Sequence, residues 1–273
     1  MFACVEQEQY APLYSGVASN VFVVDTGIDT AHIEFAEGQG SFPRHVENLW
    51  DAFDGDRAPR VGATVDDVGH GTHCAGIIGG QSVGVAPAAN LFGIKVLNGK
   101  GEGSDVDIVR GLQFVLEWYK THDHPPTVVS MSIGGVCSSR ADCSKDVVVV
   151  AVEKLTAAGI SVVVAAGNSD CDACLQTPAF APSAITVGAS DMQDAGAVFS
   201  DYGQCLDVFA PGVDISSACA RDLCGTDGAY TSMSGTSMAT PFVAGVVAQL
   251  LQMQKGGSPA EVGVEACVVP FAI

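Results

Sequence analysis

The stretch NVFVVDTGID, Asn20–Asp29, sets the apolar run Val21 to Val24 directly against an acid, Asp25. A short unbroken apolar run closed by Asp-Thr-Gly reads as a strand buried on both faces and ending at Asp25. Outward from it the same pattern recurs in ANLFGIKVL (89–97), TVVSMSI (127–133), ISVVVAAGN (160–168), AITVGAS (184–190) and CLDVFAPG (205–212). Helix-length segments lie between these runs. In Ser104–His122, residues Ile108, Leu112, Val115, Leu116 and Tyr119 share one helical face behind Ser104, the expected N-cap. In Ser144–Gly159 the successive valines favour a strand. The length, the face Val148, Val152, Leu155 and the closing Gly159 select a helix. A last helix is expected from near Ser237 to about Gln254, with Pro241 in its first turn. Strands alternating with helices imply an α/β fold, a mainly parallel β-sheet with helices on both faces. In such sheets ligands bind at the carboxyl ends of strands, where Asp25 and Asn168 stand.

The 273 residues are read as a single domain, 1–273, without internal repeat or linker. The formal charge of −19 argues against nucleic acid and anionic membrane as partners, and for a soluble monomer. No apolar run approaches the 18 or so residues that span a bilayer. No signal peptide is visible in the first residues, MFACVEQEQY. Ten cysteines point to disulfides and an oxidising, extracellular or vacuolar location. Close pairs are Cys137 with Cys143, Cys171 with Cys174 and Cys219 with Cys224. Zinc is the competing reading, since CDAC (171–174) has ligand spacing and CARDLC (219–224) is a loose second pair.

The segment YTSMSGTSMATPFVAGVVAQLL, Tyr230–Leu251, sets a hydroxyl-rich loop at the mouth of an apolar helix. A helix N-terminus stabilises negative charge, so a serine there suits chemistry that passes through an anion. In DDVGHGTHCAGIIGG, residues 66–80, His70 stands where glycines give way to a small-residue helix. His70 and His73 could pair on zinc, but HExxH is absent. A single-chain aspartic protease would need two Asp-Thr-Gly copies in an all-β chain, and one is present. An α/β-hydrolase would need GxSxG and a Ser, acid, His order, and neither fits. The turn HDHPP, with His122 and His124, reads as solvated, not as part of a metal module.

VVDTGID, GHGTHCAG and SGTSMATP, in that order, strongly resemble the subtilisin-like serine proteases (subtilases), especially their proteinase K branch, from about Ser15 to Val262. The resemblance implies a subtilisin-like three-layer fold and a serine endopeptidase with an acyl-enzyme intermediate. Ser237 would be the nucleophile, His70 the general base and acid, and Asp25 the residue that orients His70. Asn168 would supply a side-chain oxyanion donor beside the Ser237 N–H. Ser132, Ile133 and Gly134 would bind substrate backbone as an added strand. Gly101 and Glu102 would form the facing strand, where Glu102 and Asp105 suggest tolerance for basic side chains. Ala165, Ala166 and Gly167 would line a pocket for apolar or aromatic residues before the cut bond.

The chemistry would need no cofactor. A structural calcium is implied on the Pro182 and Ala184 carbonyls and the Asp207 carboxylate. The resemblance also suggests a Cys174–Cys205 disulfide and a free, buried Cys74. Substrates would be proteins or peptides, and an inhibitory propeptide is an expected partner. Phe242 stands where the family usually has histidine, for which altered packing is expected. The segment Gly256–Ile273 resembles the family's closing helix only in part. The alternative class is a self-processed relative that acts mainly by binding, which turnover of a free peptide distinguishes.

Overall fold

A computed structural model of the chain describes residues 14–36, 44–53 and 66–254. The first apolar run forms strand β1, Asn20–Asp25, every residue of it buried. Beside it lie β3 (Asn90–Lys95) and the edge strand β2 (Val46–Asp51), then on the other side β4 (Thr127–Met131), β6 (Ser161–Ala165), β8 (Ile185–Ser190) and β9 (Val208–Pro211). The order is β2-β3-β1-β4-β6-β8-β9, and all these pairs are parallel. Two small antiparallel ladders accompany the sheet, β5 (Gly135–Val136) with β7 (Gln176–Thr177) and β10 (Ile215–Ala218) with β11 (Tyr230–Met233).

Alternation along the strands sorts side chains to two helical layers. Val21 and Val23 pack in one core with α1 (His70–Gly79) and the last helix, α6 (Thr236–Met253). Phe22 and Val24 point the other way, with α2 (Asp105–Thr121) and α4 (Val147–Ala157). Two single turns, α3 (Arg140–Cys143) and α5 (Arg221–Cys224), complete the α-helices among the described residues. Fully burying a branched side chain contributes roughly 1.5–3 kcal/mol, so the apolar strands hold the sheet between its layers. This is the expected three-layer α/β arrangement.

The helix assignments hold with physical causes on view. Ser104 caps α2 in a capping box with Asp107. The valine run of α4 is helical because Asp146 caps it and its face, Val148, Val152 and Leu155, is buried. The last helix begins at Thr236, one residue before the expected start, so Pro241 is its sixth residue and lies in the second turn, not the first. The Ser237 carbonyl, which Pro241 has no N–H to meet, accepts from Ser132 Oγ instead. Phe242 packs, partly buried, against the α1/α6 core. Strand β2, VENLWD, has no apolar run and carries a bulge between Asn48 and Trp50, as an edge strand can. The closing segment Gly256–Ile273 lies outside the described residues.

The strand order decides where a site can form. From β1 the chain fills one side of the sheet through β2 and β3, then crosses to the other through β4. The carboxyl end of β1 is therefore the point where the order reverses, and Asp25 occupies it.

The cysteine pairing corrects one grouping. Cys137–Cys143 and Cys219–Cys224 are bonded locally, but Cys174 is bonded to Cys205 and leaves Cys171 a free thiol. The pair CDAC is thus neither a disulfide nor a zinc pair, because one of its sulfurs is already committed. Cys74 is free and buried, as expected.

Candidate active site

Asp25 is almost fully buried at the end of β1, with 1% of its side chain exposed against 26% for His70. Its two carboxylate oxygens accept from His70 Nδ1 at 2.8 and 2.9 Å. This bond fixes the imidazole as the Nδ1–H tautomer and leaves Nε2 as the free base. Burial alone would lower the His70 pKa. The Asp25 carboxylate outweighs it and holds the imidazole well above its ordinary value. Cys74 lies 4.0 Å from Nδ1, but burial pushes its thiol up, so it stays neutral and adds little charge.

Local structure explains this geometry. His70 is the first residue of α1, after Gly69. A Cβ at Gly71 would lie 2.2 Å from the Gly27 carbonyl, so the first turn of α1 meets the Asp25-Thr26-Gly27 turn only because residue 71 lacks a side chain. The loop before His70 is organised by Asp66, whose role the sequence did not reveal. Asp66 Oδ1 accepts from the Thr26 hydroxyl (2.8 Å) and the Gly69 N–H (2.7 Å), and Oδ2 from the Thr72 N–H (2.8 Å) and hydroxyl (2.5 Å). Lys95 braces the same turn through the Thr26 carbonyl and Asp67.

Ser237 is the second residue of α6 and half-buried. Its hydroxyl donates to the Ser132 carbonyl at 3.3 Å, not to His70. Such a bond is often unformed before substrate arrives, so the side-chain rotor is the part of this cluster still to turn. The neighbourhood is otherwise tightly joined. Ser132 Oγ donates to the Ser237 carbonyl (2.9 Å), as does the Cys74 thiol (3.4 Å), so Cys74 touches both His70 and the Ser237 main chain.

Asn168 follows β6 and is exposed. Its Oδ1 accepts from the Thr236 N–H (2.8 Å) and hydroxyl (3.0 Å), so Thr236 holds the oxygen and the NH₂ group is the side chain's donor. The Asn168 amide and the Ser237 N–H both border Gly235. Both lie 3.6 Å from the point where a Cβ on Gly235 would stand. Two N–H groups at the start of a long helix form a setting for an anion.

Of the groove candidates, Ser132 is hydrogen-bonded directly to Ser237. Ser132 and Ile133 are buried and Gly134 is exposed at the end of β4. Gly101 and Glu102 are exposed in a turn closed by Asn98, whose N–H donates to the Glu102 carbonyl at 2.8 Å. Ala165 and Ala166 are buried, and Gly167 leads into Asn168.

His73 does not join His70 on a metal. Its Nε2 donates to the carbonyls of Ile215 (3.0 Å) and Thr231 (3.2 Å), clamping the β10–β11 hairpin, and burial lowers its pKa. His122 stacks on Trp118 and His124 lies edge-on to Tyr119, so these two cap α2. Among the described residues, ligand-type atoms of Asp25, His70 and Cys74 come within 4.8 Å of one another, but these are the groups already described.

Pro182, Ala184 and Asp207 lie around the start of β8, away from this cluster in the chain. Asp207 Oδ2 accepts from the Thr186 N–H at 2.8 Å. Asp207 is exposed as a residue, yet burial around its carboxyl outweighs that bond and raises its pKa. One carboxylate and two carbonyls are oxygen donors that fit a hard cation completed by water.

Comparison with known proteins identifies the family and the fold. Residues 16–269 match the Subtilase family. The chain is 40% identical over 263 residues to Alkaline serine exoprotease A of Vibrio alginolyticus, covering 96% of this chain and 43% of that protein. It is 40% identical over 240 residues to Proteinase R of Parengyodontium album, covering 88% and 55%. The solved structure of a cold-adapted subtilisin-like serine proteinase matches with a TM-score of 0.77 at 38% identity, over 93% of this chain and 83% of that one. The chain spans about half the length of the curated relatives it matches. Match, identity and fold together place it: the chain belongs to the subtilase family.

Proposed function

We propose that this chain is a serine endopeptidase that cleaves peptide bonds through an acyl-enzyme intermediate. The observation that carries the reading is the two-oxygen contact of buried Asp25 with His70 Nδ1, which leaves Nε2 as the base, while Cys74 touches both His70 and the main chain of the helix-start Ser237. In this reading Ser237 attacks the scissile carbonyl as His70 Nε2 removes its proton. Asp25 stabilises the imidazolium formed, and His70 then protonates the leaving amine. The developing oxyanion accepts from the Ser237 N–H and the Asn168 amide. Water repeats the sequence on the acyl-enzyme.

Substrate backbone would lie along Ser132–Gly134, opposite Gly101 and Glu102, as an added strand. The small residues Ala165, Ala166 and Gly167 suit a broad preference for apolar or aromatic side chains before the cut bond. Proteins or peptides are the substrates, an inhibitory propeptide is a further partner, and the net charge of −19 favours a monomer. Three disulfides support an extracellular or vacuolar location. No described helix is long and apolar enough to cross a membrane. The test is labelling with a fluorophosphonate probe beside Ser237→Ala. Labelling that vanishes in the variant supports the reading, and a folded chain that neither labels nor turns over a peptide contradicts it.

Glu102 gives a specificity prediction. An exposed ion pair with a basic substrate residue two to four positions before the cut is worth about 0.2–1 kcal/mol. Glu102→Gln should therefore lower kcat/KM for such peptides roughly 1.5- to 5-fold relative to neutral ones. The effect should fade in high salt. A peptide library with no basic preference in the parent protein removes the idea.

The chemistry needs no cofactor. Calcium, held by the Pro182 and Ala184 carbonyls and Asp207, would serve the fold alone. Calcium at a hundredfold its Kd would stabilise the folded chain by about 2.7 kcal/mol. For a chain of this size that corresponds to a Tm rise of about 5–10 °C. Asp207→Ala should abolish the difference between calcium and chelator in a thermal melt. An equal calcium effect in that variant would assign the ion elsewhere.

A further inference from the structure

We propose that Asp201 is a positioning residue for Asn168, holding the main chain on both sides of it. The proposal rests on reading Asn168 as an oxyanion donor. Asp201 is fully buried. Its Oδ1 accepts from the Ser169 N–H at 2.7 Å and the Cys171 N–H at 3.1 Å, and Oδ2 accepts from the Cys171 thiol at 3.4 Å. Its own N–H donates to the Gly167 carbonyl at 3.0 Å. One residue thus grips the chain immediately before and immediately after Asn168.

Gly167 explains itself in this arrangement. Its φ is +118°, and a Cβ there would lie 2.1 Å from Asp201 Oδ2, so the carboxylate fills the space a side chain would need. Asp201 is itself tied to the sheet. Ser200 Oγ donates to the Asp201 carbonyl (3.1 Å) and accepts from the Ala189 N–H of β8 (3.0 Å). The neighbouring strap continues with the Tyr202 N–H on the Cys171 carbonyl (2.9 Å) and the Asp170 N–H on the Phe199 carbonyl (3.0 Å). Asn168 therefore has two separate supports. Thr236 of α6 fixes its side-chain oxygen, and Asp201 fixes its backbone from the sheet. Only the second depends on a carboxylate. Without it the Ser169 and Cys171 N–H groups lose their acceptor and the Asn168 amide is free to drift.

The test is a cycle of variants of the whole chain on one peptide substrate. Asn168→Ala should lower kcat on the order of 10²- to 10³-fold. Asp201→Ala should lower kcat roughly 10- to 100-fold with KM unchanged, the effect of a displaced donor. Placed on Asn168→Ala, it should add less than about twofold, since its effect passes through the missing amide. Asp201→Asn keeps an oxygen for both N–H groups and should stay within about threefold of the parent. An equal loss with and without Asn168, or unchanged kcat in Asp201→Ala, overturns the proposal. So does a large loss in Asp201→Asn. If Asp201→Ala does not fold, Asp201→Ser takes its place under the same criteria. Full turnover in Asn168→Ala would instead remove the oxyanion reading, and this proposal with it.

Discussion

Ser237→Ala is expected to lower kcat on the order of 10⁶-fold, the scale set by the subtilisin triad, while leaving peptide affinity nearly unchanged. The size follows from losing the proposed nucleophile itself. No neighbouring group replaces it, because Ser132 Oγ is already committed to the Ser237 carbonyl and the Cys74 thiol is buried, neutral and turned to the same carbonyl. A residual acceleration of roughly 10³–10⁴ over water should survive, because the Ser237 N–H and the Asn168 amide remain. The fold should hardly notice. The lost hydroxyl makes one bond, to the Ser132 carbonyl, worth about 1 kcal/mol. The measurement is single-turnover kinetics on a chromogenic peptide with a thermal melt alongside. Turnover within a few-fold of the parent in a folded variant would overturn the nucleophile assignment.

The candidate site was legible because its signals are local. Asp25 closes an apolar run, His70 opens a small-residue helix, and Ser237 stands at the start of an apolar helix. Each can be seen within about ten residues. The supports around them are of another kind. Asp66 reads in sequence as one of two acids in a glycine-rich turn, and Asp201 as a turn residue before Tyr202-Gly203. Both are buried, with contacts up to 40 residues away for Asp66 and 34 for Asp201. A carboxylate satisfied by distant backbone N–H groups leaves no periodicity and no spacing to find. Strand β2 was hidden for a related reason. At a sheet edge its residues are mostly half-exposed, so nothing demands an apolar run. The β10–β11 hairpin escaped because its place is set from outside, by His73 reaching the Ile215 and Thr231 carbonyls.

Asp25→Asn should lower kcat about 10⁴-fold and at the same time move the acid limb of the pH profile. Both effects come from one contact. In the proposed mechanism His70 serves as a base only when neutral, and the Asp25 carboxylate raises its pKa well above the ordinary value, against burial. In the parent protein kcat/KM should therefore rise with pH through an apparent pKa above that of an ordinary imidazole. With Asn at position 25 the raising charge is gone while burial persists, and burial disfavours the imidazolium. The limb should then shift to lower pH. Turnover still falls, because an amide can offer its NH₂ to Nδ1 and select the tautomer whose Nε2 carries the proton. The base would then face Ser237 already protonated. An amide that merely weakened the fold would lower activity without moving the limb. A pH series of kcat/KM on both proteins separates these cases. An unshifted limb would mean that Asp25 does not set the His70 charge. A shifted limb with little loss of turnover would mean that the tautomer does not limit the reaction.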